Sequence, residues 1–530
     1  MHEKLLERFP KFALLAHAWE PRPTPSIDLI FWRKSLNINN IEILYLLGLG
    51  DGSAYSHLKG WLHEDPKRRL VILEEEGSYI ASLQNEELLA DLQMHLEWLP
   101  KGKERTALLQ QLSEQYPSSR IELVALPGLK SRSLRLQLLR RTTLSNALFS
   151  DRLYGEQPFE NFIQTIPHLN GAFYANGLKN AFQGIPVIIC GAGPSLQQAI
   201  PLLRELEDRV LIIAGGSAIA ALTSQGIEPH FGVAIDPNLE EYRRFRNSFQ
   251  FEGPLLISTR IFPKIFQTCN GPFGYLRCGV GGATELWMEE EMGLTDPLLC
   301  EGLSDESLSV LSICLAFAVG IGSPTILLSG VDLAYTEGKR YATGVSDETT
   351  ELDAIEEKKS VADRIVYKKD KRGRSVQTAI RWVMEAASIA HFAKKHSSIR
   401  WINTTEGGLP IQNVPFQPLQ EAAAQYLTQQ TDLRGKIARE IALHPLPPFN
   451  KLDELKTSLQ TLISHLEILA GEKKGSKALA ELELKEELAA SILFYDIGKV
   501  LRQLLGPDAA ADAKWRAYLT MARKHLANFS

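Results

Sequence analysis

The six residues Gly191-Ala192-Gly193-Pro194-Ser195-Leu196 follow the apolar run Val187-Ile188-Ile189-Cys190 and precede a helical pattern from Gln197 to Leu206. Glycines let a backbone come close to a phosphate, and a helix N-terminus offers unpaired N–H groups and a positive dipole end. Ser195 is placed to cap that helix and to donate its hydroxyl to a phosphate. The loop lacks the third glycine of the dinucleotide fingerprint, and no Gly-Lys-Ser/Thr follows as in a P-loop. On spacing alone, a tight turn without a ligand stays open.

Four further clusters end apolar runs. Gly215-Gly216-Ser217 follows Val210 to Ala214 and could line the same crevice or serve close packing. Asp236-Pro237-Asn238 ends Phe231 to Ile235, where a carboxylate could hold Mg²⁺, ribose hydroxyls or an acceptor hydroxyl, or cap a helix. Gly330-Val331-Asp332-Leu333-Ala334-Tyr335 follows Thr325 to Ser329, with Lys339, Arg340 and Tyr341 soon after. Asn403-Thr404-Thr405-Glu406-Gly407-Gly408 follows Ile399 to Ile402 and joins hydroxyls to a carboxylate, although a simple turn has the same composition.

Apolar runs alternating with helical patterns imply a parallel sheet covered on both faces. Such sheets bind ligands beyond the carboxyl ends of their strands, where each of these clusters falls. The fold class is therefore α/β. Residues 1–25 read as a lead-in, 26–150 as a Rossmann-like domain, 151–415 as a central doubly wound domain and 416–530 as a helical domain. In the first α/β stretch, Gly48-Leu49-Gly50-Asp51-Gly52 and Glu74 to Glu76 resemble the S-adenosylmethionine site of Rossmann methyltransferases. No downstream methyltransferase motif accompanies them, and a purely structural Rossmann-like domain is the preferred reading. Tyr367 to Val376 reads as a basic loop or hairpin tip, and from Leu419 onward only helical periodicity remains.

At roughly 100–200 residues per domain, 530 residues suggest about three domains. A net charge of -5 gives no electrostatic case for a nucleic acid or an anionic membrane. The five cysteines form no Cys-x-x-Cys pair and no zinc spacing, so they are expected reduced and mostly buried. The N-terminus has no continuous apolar segment of the signal-peptide kind. The most apolar stretch, Val310 to Val331, is cut by Gly320, Gly322, Ser323 and Pro324 into pieces too short to span a bilayer. A buried helix, a turn and a buried strand are expected there, and the cytoplasm is the expected location.

Taken in order, Gly191 to Leu196, Gly226-Ile227-Glu228-Pro229-His230 before the Asp236 strand, Gly330 to Thr336 and Asn403 to Gly408 resemble the motility-associated-factor (Maf-type) glycosyltransferases. That family shares its central, MptE-like domain with archaeal-type 6-hydroxymethyl-dihydropterin diphosphokinases. The resemblance covers about residues 165–425. It implies a sialyltransferase-like central fold, a CMP-activated nonulosonic acid as donor, no tightly bound cofactor, and a Ser or Thr hydroxyl of a flagellin-like protein as acceptor. Carried over, Gly191, Gly193 and Ser195 hold the nucleotide phosphate, while Asp236, Asp332 and Glu406 face donor or acceptor. Asp332, Tyr335, Tyr341 and Glu406 are the catalytic candidates. Ala192, Pro194, Leu196, Gly216, Ser217, Asn238, Ser307, Asn403, Thr404 and Thr405 complete the donor-binding set.

The chain departs from the family pattern in three places. Val331 stands where the family has Gln, Tyr341-Ala342 where it commonly has His-Ala, and Asp305-Glu306-Ser307 where a Gly-Gly-Ser helix start is usual. The nearest alternative is diphosphate transfer from ATP to a hydroxymethylpterin, with Mg²⁺ held by Asp236 and Asp332. A nucleotide-binding scaffold without turnover is the non-enzymatic alternative, and methyl transfer by the N-terminal domain is a third.

Overall fold

The structure, a computed structural model, describes residues 3–15, 18–22, 29–116, 120–153, 156–245, 251–304, 306–307, 309–345, 361–494 and 511–529. Asp305, parts of the expected lead-in and residues 495–510 of the helical tail lie outside them. The chain divides into two units. One comprises residues 1–148 with 353–365, and the other residues 149–352 with 366–530.

In the first unit, strands β1 (Ile43–Leu47), β2 (Arg69–Glu74), β3 (Met94–Trp98) and β4 (Ile121–Ala125) pair in parallel in the order β3-β2-β1-β4. Every residue of β1 is buried, which is why the run reads as continuously apolar. Gly48 follows β1 with φ +94°, and a Cβ there would lie 2.6 Å from the Leu129 side chain. Glu74, at the end of β2, turns inward. Its carboxylate accepts from the Leu49 amide at 2.6 Å and the Glu76 amide at 2.8 Å. The acidic residue that a ribose would require instead holds the glycine loop itself.

The second unit contains β5 (Phe173–Tyr174), β6 (Val187–Cys190), β7 (Leu211–Gly215), β8 (Phe231–Ala234), β9 (Leu255–Ile257), β10 (Phe273–Tyr275), β11 (Thr325–Ser329) and β14 (Arg400–Asn403). They form one eight-stranded sheet in the order β14-β11-β6-β7-β8-β9-β10-β5, with every pairing parallel. A hairpin of β12 (Ile365–Lys369) and β13 (Ser375–Ala379) forms a separate two-stranded sheet with the basic segment at its tip.

Side chains alternate between two cores, as strand geometry requires. Ile188, Ile212 and Ala214 face one core together with Leu455, Leu459 and Leu462 of the helix Leu452–Leu469. Val187, Ile189, Leu211 and Ile213 face the other, with Leu315 and Phe317 of the helix Val310–Gly320. The helices after residue 416 thus pack on both faces of the central sheet, since Leu433 and Ile437 of the helix Leu433–Ala442 join the second core. The apolar stretch Val310 to Val331 is a buried helix, a turn at Gly322 (φ +89°) and the buried strand β11, as expected. Among the described residues no helix is long and apolar enough to cross a membrane. Four cysteines are buried and Cys300 is half-buried, all as free thiols.

The strand order fixes where a ligand can enter. After β6 the chain builds β7 to β10 toward one edge, then returns to lay β11 and β14 on the other side of β6. The loops leaving β6 and β11 therefore part in opposite directions. That opens a crevice at their carboxyl ends, where open α/β sheets bind ligands.

Candidate functional site

The two diverging loops are stitched together by their backbones. Gly191 N–H donates to the Ser329 carbonyl at 2.8 Å, and Gly193 N–H to the Gly330 carbonyl at 2.8 Å. The approach leaves no room for side chains. A Cβ on Gly193 would lie 2.1 Å from Asp332 Oδ2 and 2.6 Å from the Gly330 carbonyl oxygen. Gly330 turns the chain with φ +65°.

Asp332 is the hub of this crossing and is only 1% exposed. Its Oδ2 accepts the Ser195 hydroxyl at 2.6 Å, and its Oδ1 the Thr336 hydroxyl at 2.5 Å. The Ser195 amide points at the same carboxylate, at 3.3 and 3.4 Å. Burial raises the pKa of Asp332, against the opposing hydrogen bonds from Ser195 and Thr336 and the charge of Lys371. Leu333, the next residue, is held at φ +52°, a strained conformation for a branched side chain.

This geometry corrects one expectation. Ser195 has helical backbone angles and its side chain does not cap the helix Leu196–Glu205. Its hydroxyl turns away to Asp332, and the Asp332 carboxylate itself sits where an external anion would meet the helix N-terminus. The loop is a clamp between β6 and β11, with its glycine backbone forming a floor.

Above that floor opens a cleft of about 320 Å³, at the lower end of the size range of small-molecule sites. Of the residues anticipated from sequence, Gly191, Ala192 and Gly193 line it, as do Gly216 and Ser217 after β7. Asp236 after β8, Asp332 and Tyr341 line it as well. Tyr341 carries the Arg340 guanidinium over its ring at 4.9 Å.

The remaining candidates lie elsewhere. Ser195, Tyr335 and Glu406 line a second cleft of about 540 Å³, bounded by the hairpin tip and the Gly407-Gly408 turn. The Ser195–Asp332 hydrogen bond joins the two clefts. Asn403, Thr404 and Thr405 are buried braces that line neither cleft. Thr404 donates its hydroxyl to the Leu328 carbonyl at 2.8 Å, and Thr405 Oγ1 accepts the Val331 amide at 3.0 Å. Leu196 is buried in the core, and Pro194 shapes the turn before it. Asn238 follows Asp236 without reaching the cleft lining. The Ser307 hydroxyl is engaged with Ser388.

Three helices supply lining residues that the sequence reading missed, the helix Leu239–Phe245 bringing Glu241. The helix Val310–Gly320 begins at the cleft with Ser309, Val310 and Leu311. Ser309 is the N-cap, in an extended conformation, yet its hydroxyl makes no capping bond. That oxygen is buried and has no hydrogen-bond partner among the described residues. The helix Ile380–Lys395 adds Arg381, Trp382 and Glu385. Ser309 before an apolar run is a helix-start signal that was available in the sequence, two residues beyond Ser307. The face carrying Arg381, Trp382 and Glu385 had no local signature.

Cleft charge is mixed. Asp236, Glu241, Asp332 and Glu385 line it together with Arg340 and Arg381. Among the described residues no group of three or more His, Cys, Asp or Glu side chains is arranged to hold a metal ion.

Residues 160–338 match the model of the family described as 6-hydroxymethylpterin diphosphokinase MptE-like. No curated protein matches the chain. Among solved structures the chain is similar to the Maf glycosyltransferase from Magnetospirillum magneticum AMB-1. The identity is 16%, over 98% of this chain and 82% of that chain, with a TM-score of 0.44. The matched segment contains β5 through β11 and the Gly330–Thr336 turn, the greater part of the cleft. The central segment of this chain, residues 160–338, is thus similar to the MptE-like family.

Proposed function

We propose that the cleft binds a nucleotide-activated donor. In this reading the chain is a cytoplasmic glycosyltransferase that moves a nonulosonic acid from a CMP-activated donor to a Ser or Thr hydroxyl of a flagellin-like protein. The observation that carries the reading is the placement of the cleft. It opens at the β6–β11 switch over a backbone floor of Gly191, Gly193, Gly216 and Gly330. The uncapped start of the helix Val310–Gly320 faces the same space and offers its amides to a phosphate.

In the transfer, the acceptor oxygen attacks the anomeric carbon of the sugar. The bond from that carbon to the phosphate oxygen breaks, and the electron pair leaves with CMP. The phosphate then carries the growing charge, which amides at the helix start stabilise. Asp332 takes the acceptor proton. Burial raises its proton affinity, and the Ser195 and Thr336 hydroxyls hold its carboxylate in place. Tyr341 in the donor cleft and Tyr335 beyond the clamp steer protonation of the leaving group. Glu406 faces the acceptor across the second cleft.

A second reading is favoured by the description of the matched family: diphosphate transfer from ATP to a hydroxymethylpterin. Asp236 and Asp332 line the cleft and would hold Mg²⁺ in that reading. Both Asp332 oxygens already accept hydrogen bonds, so binding a metal there would compete with the loop clamp.

Thermal-shift titration separates the readings. A ligand that binds only the folded chain adds about 2.7 kcal/mol at 100 times its dissociation constant. CMP stabilisation without added metal supports glycosyl transfer. Stabilisation by ATP that requires Mg²⁺, with CMP silent, supports the diphosphokinase. Silence with every nucleotide contradicts both.

A further inference from the structure

The helical wall of the cleft has a different chemistry from the glycine floor. Trp382 and Glu385 project from one face of the helix Ile380–Lys395, three positions apart. Trp382 is half-buried, and Tyr335 packs edge-on against it with ring centroids 4.9 Å apart at 61°, which fixes the indole plane. Glu385 is 4% exposed, and its Oε1 accepts the Ser312 hydroxyl at 2.9 Å. Ser309, in the same wall, holds its buried hydroxyl without a hydrogen-bond partner among the described residues.

A held aromatic plane, a buried carboxylate and an unsatisfied hydroxyl form a recognition set for a flat heteroaromatic ring. Bases stack on aromatic side chains whatever their identity, so Trp382 supplies affinity without selectivity. The carboxylate oxygens of Glu385 accept hydrogen bonds, so this side chain rewards a ring edge that donates. A ring carrying an exocyclic amino group donates there. A ring carrying a keto group at the same place sets oxygen lone pairs against the carboxylate. The Ser309 hydroxyl donates or accepts, and suits the ring nitrogen beside the amino group.

We propose that Trp382, Glu385 and Ser309 read the nucleobase of the donor and select amino-bearing bases, cytosine or adenine, over their keto counterparts, uracil and hypoxanthine. The inference rests on the nucleotide reading of the cleft, with the phosphate over the glycine floor and the base against this wall.

The test is a thermal-shift titration of the full chain with CMP, UMP, AMP and IMP. CMP and AMP are the two possible sources of the amino edge, and the stronger of the two names the base. The preferred amino nucleotide binds about tenfold or more tighter than its keto partner. Glu385→Gln, whose amide both donates and accepts, brings the two within about threefold of each other. Trp382→Ala weakens both members of the pair alike, by about tenfold, and Trp382→Phe restores most of that loss. Equal binding of CMP and UMP together with equal binding of AMP and IMP overturns the inference while leaving the nucleotide reading intact. So does an amino preference that persists unchanged in Glu385→Gln. Silence of all four nucleotides overturns the nucleotide reading, and the base selection falls with it.

Discussion

Asp332 carries more of the site than any other side chain. It is buried, it receives two hydroxyls and an amide, and it joins the loops after β6 and β11. Ser195→Ala removes the shortest contact to Oδ2 and leaves a buried acceptor short of a partner. The expected cost is about 1–3 kcal/mol, read as a fall in melting temperature. Gly193→Ala places a methyl against the Asp332 carboxylate and the Gly330 carbonyl. Because a backbone oxygen yields little, the expected loss is also about 1–3 kcal/mol, with nucleotide binding abolished. Burial holds the Asp332 carboxyl above its unfolded value, so the folded chain binds that proton more tightly. Its contribution is fully present below the unfolded pKa and is lost as pH rises through the folded one. Stability measured by denaturant titration therefore falls with pH across that window, and Asp332→Asn flattens the decline.

At the scale of elements, the hairpin β12–β13 brings Lys371 beside the Asp332 turn. Its ammonium donates to the Thr405 carbonyl and lies 4.6 Å from the centre of the Phe416 ring. Burial lowers its pKa to about 8, against the pull of Asp332 and Glu406. The folded state thus loses this proton first. Between about 8 and the unfolded value of 10.5, stability gains from Lys371 as pH rises, and Lys371→Met removes that rise. Glu337, exposed in the turn after Asp332, is held at φ +55°. Glu337→Gly relieves the left-handed backbone and is expected to stabilise by up to about 1 kcal/mol, read by thermal melting. The strands and glycine turns of the site were legible because each is a contiguous apolar run ending in small residues. Trp382 and Glu385 were not, because they reach the cleft only through helix packing. Asn403, Thr404 and Thr405 looked like ligand groups, yet the Thr404 and Thr405 hydroxyls bond β11 and its turn, and the Asn403 side chain accepts the Thr405 amide.

For the whole molecule, the sequence showed two α/β stretches and a helical tail. Sequence order did not show that the described residues 361–365 return to the first unit. There Arg364 reaches Glu122 at 2.7 Å, beside the Arg135–Glu122 pair at 2.6 Å. Nor did it show that the tail shares the core of the central sheet, since contacts across hundreds of residues leave no local pattern. With two units, calorimetry of the full chain is expected to show two transitions, and a nucleotide should raise only that of the unit containing the cleft. The measurement that bears most directly on the whole reading is CMP binding by the purified chain, with and without Mg²⁺, alongside Gly193→Val. The reading predicts metal-independent stabilisation by CMP that the substitution abolishes. A chain that ignores CMP under both conditions contradicts it.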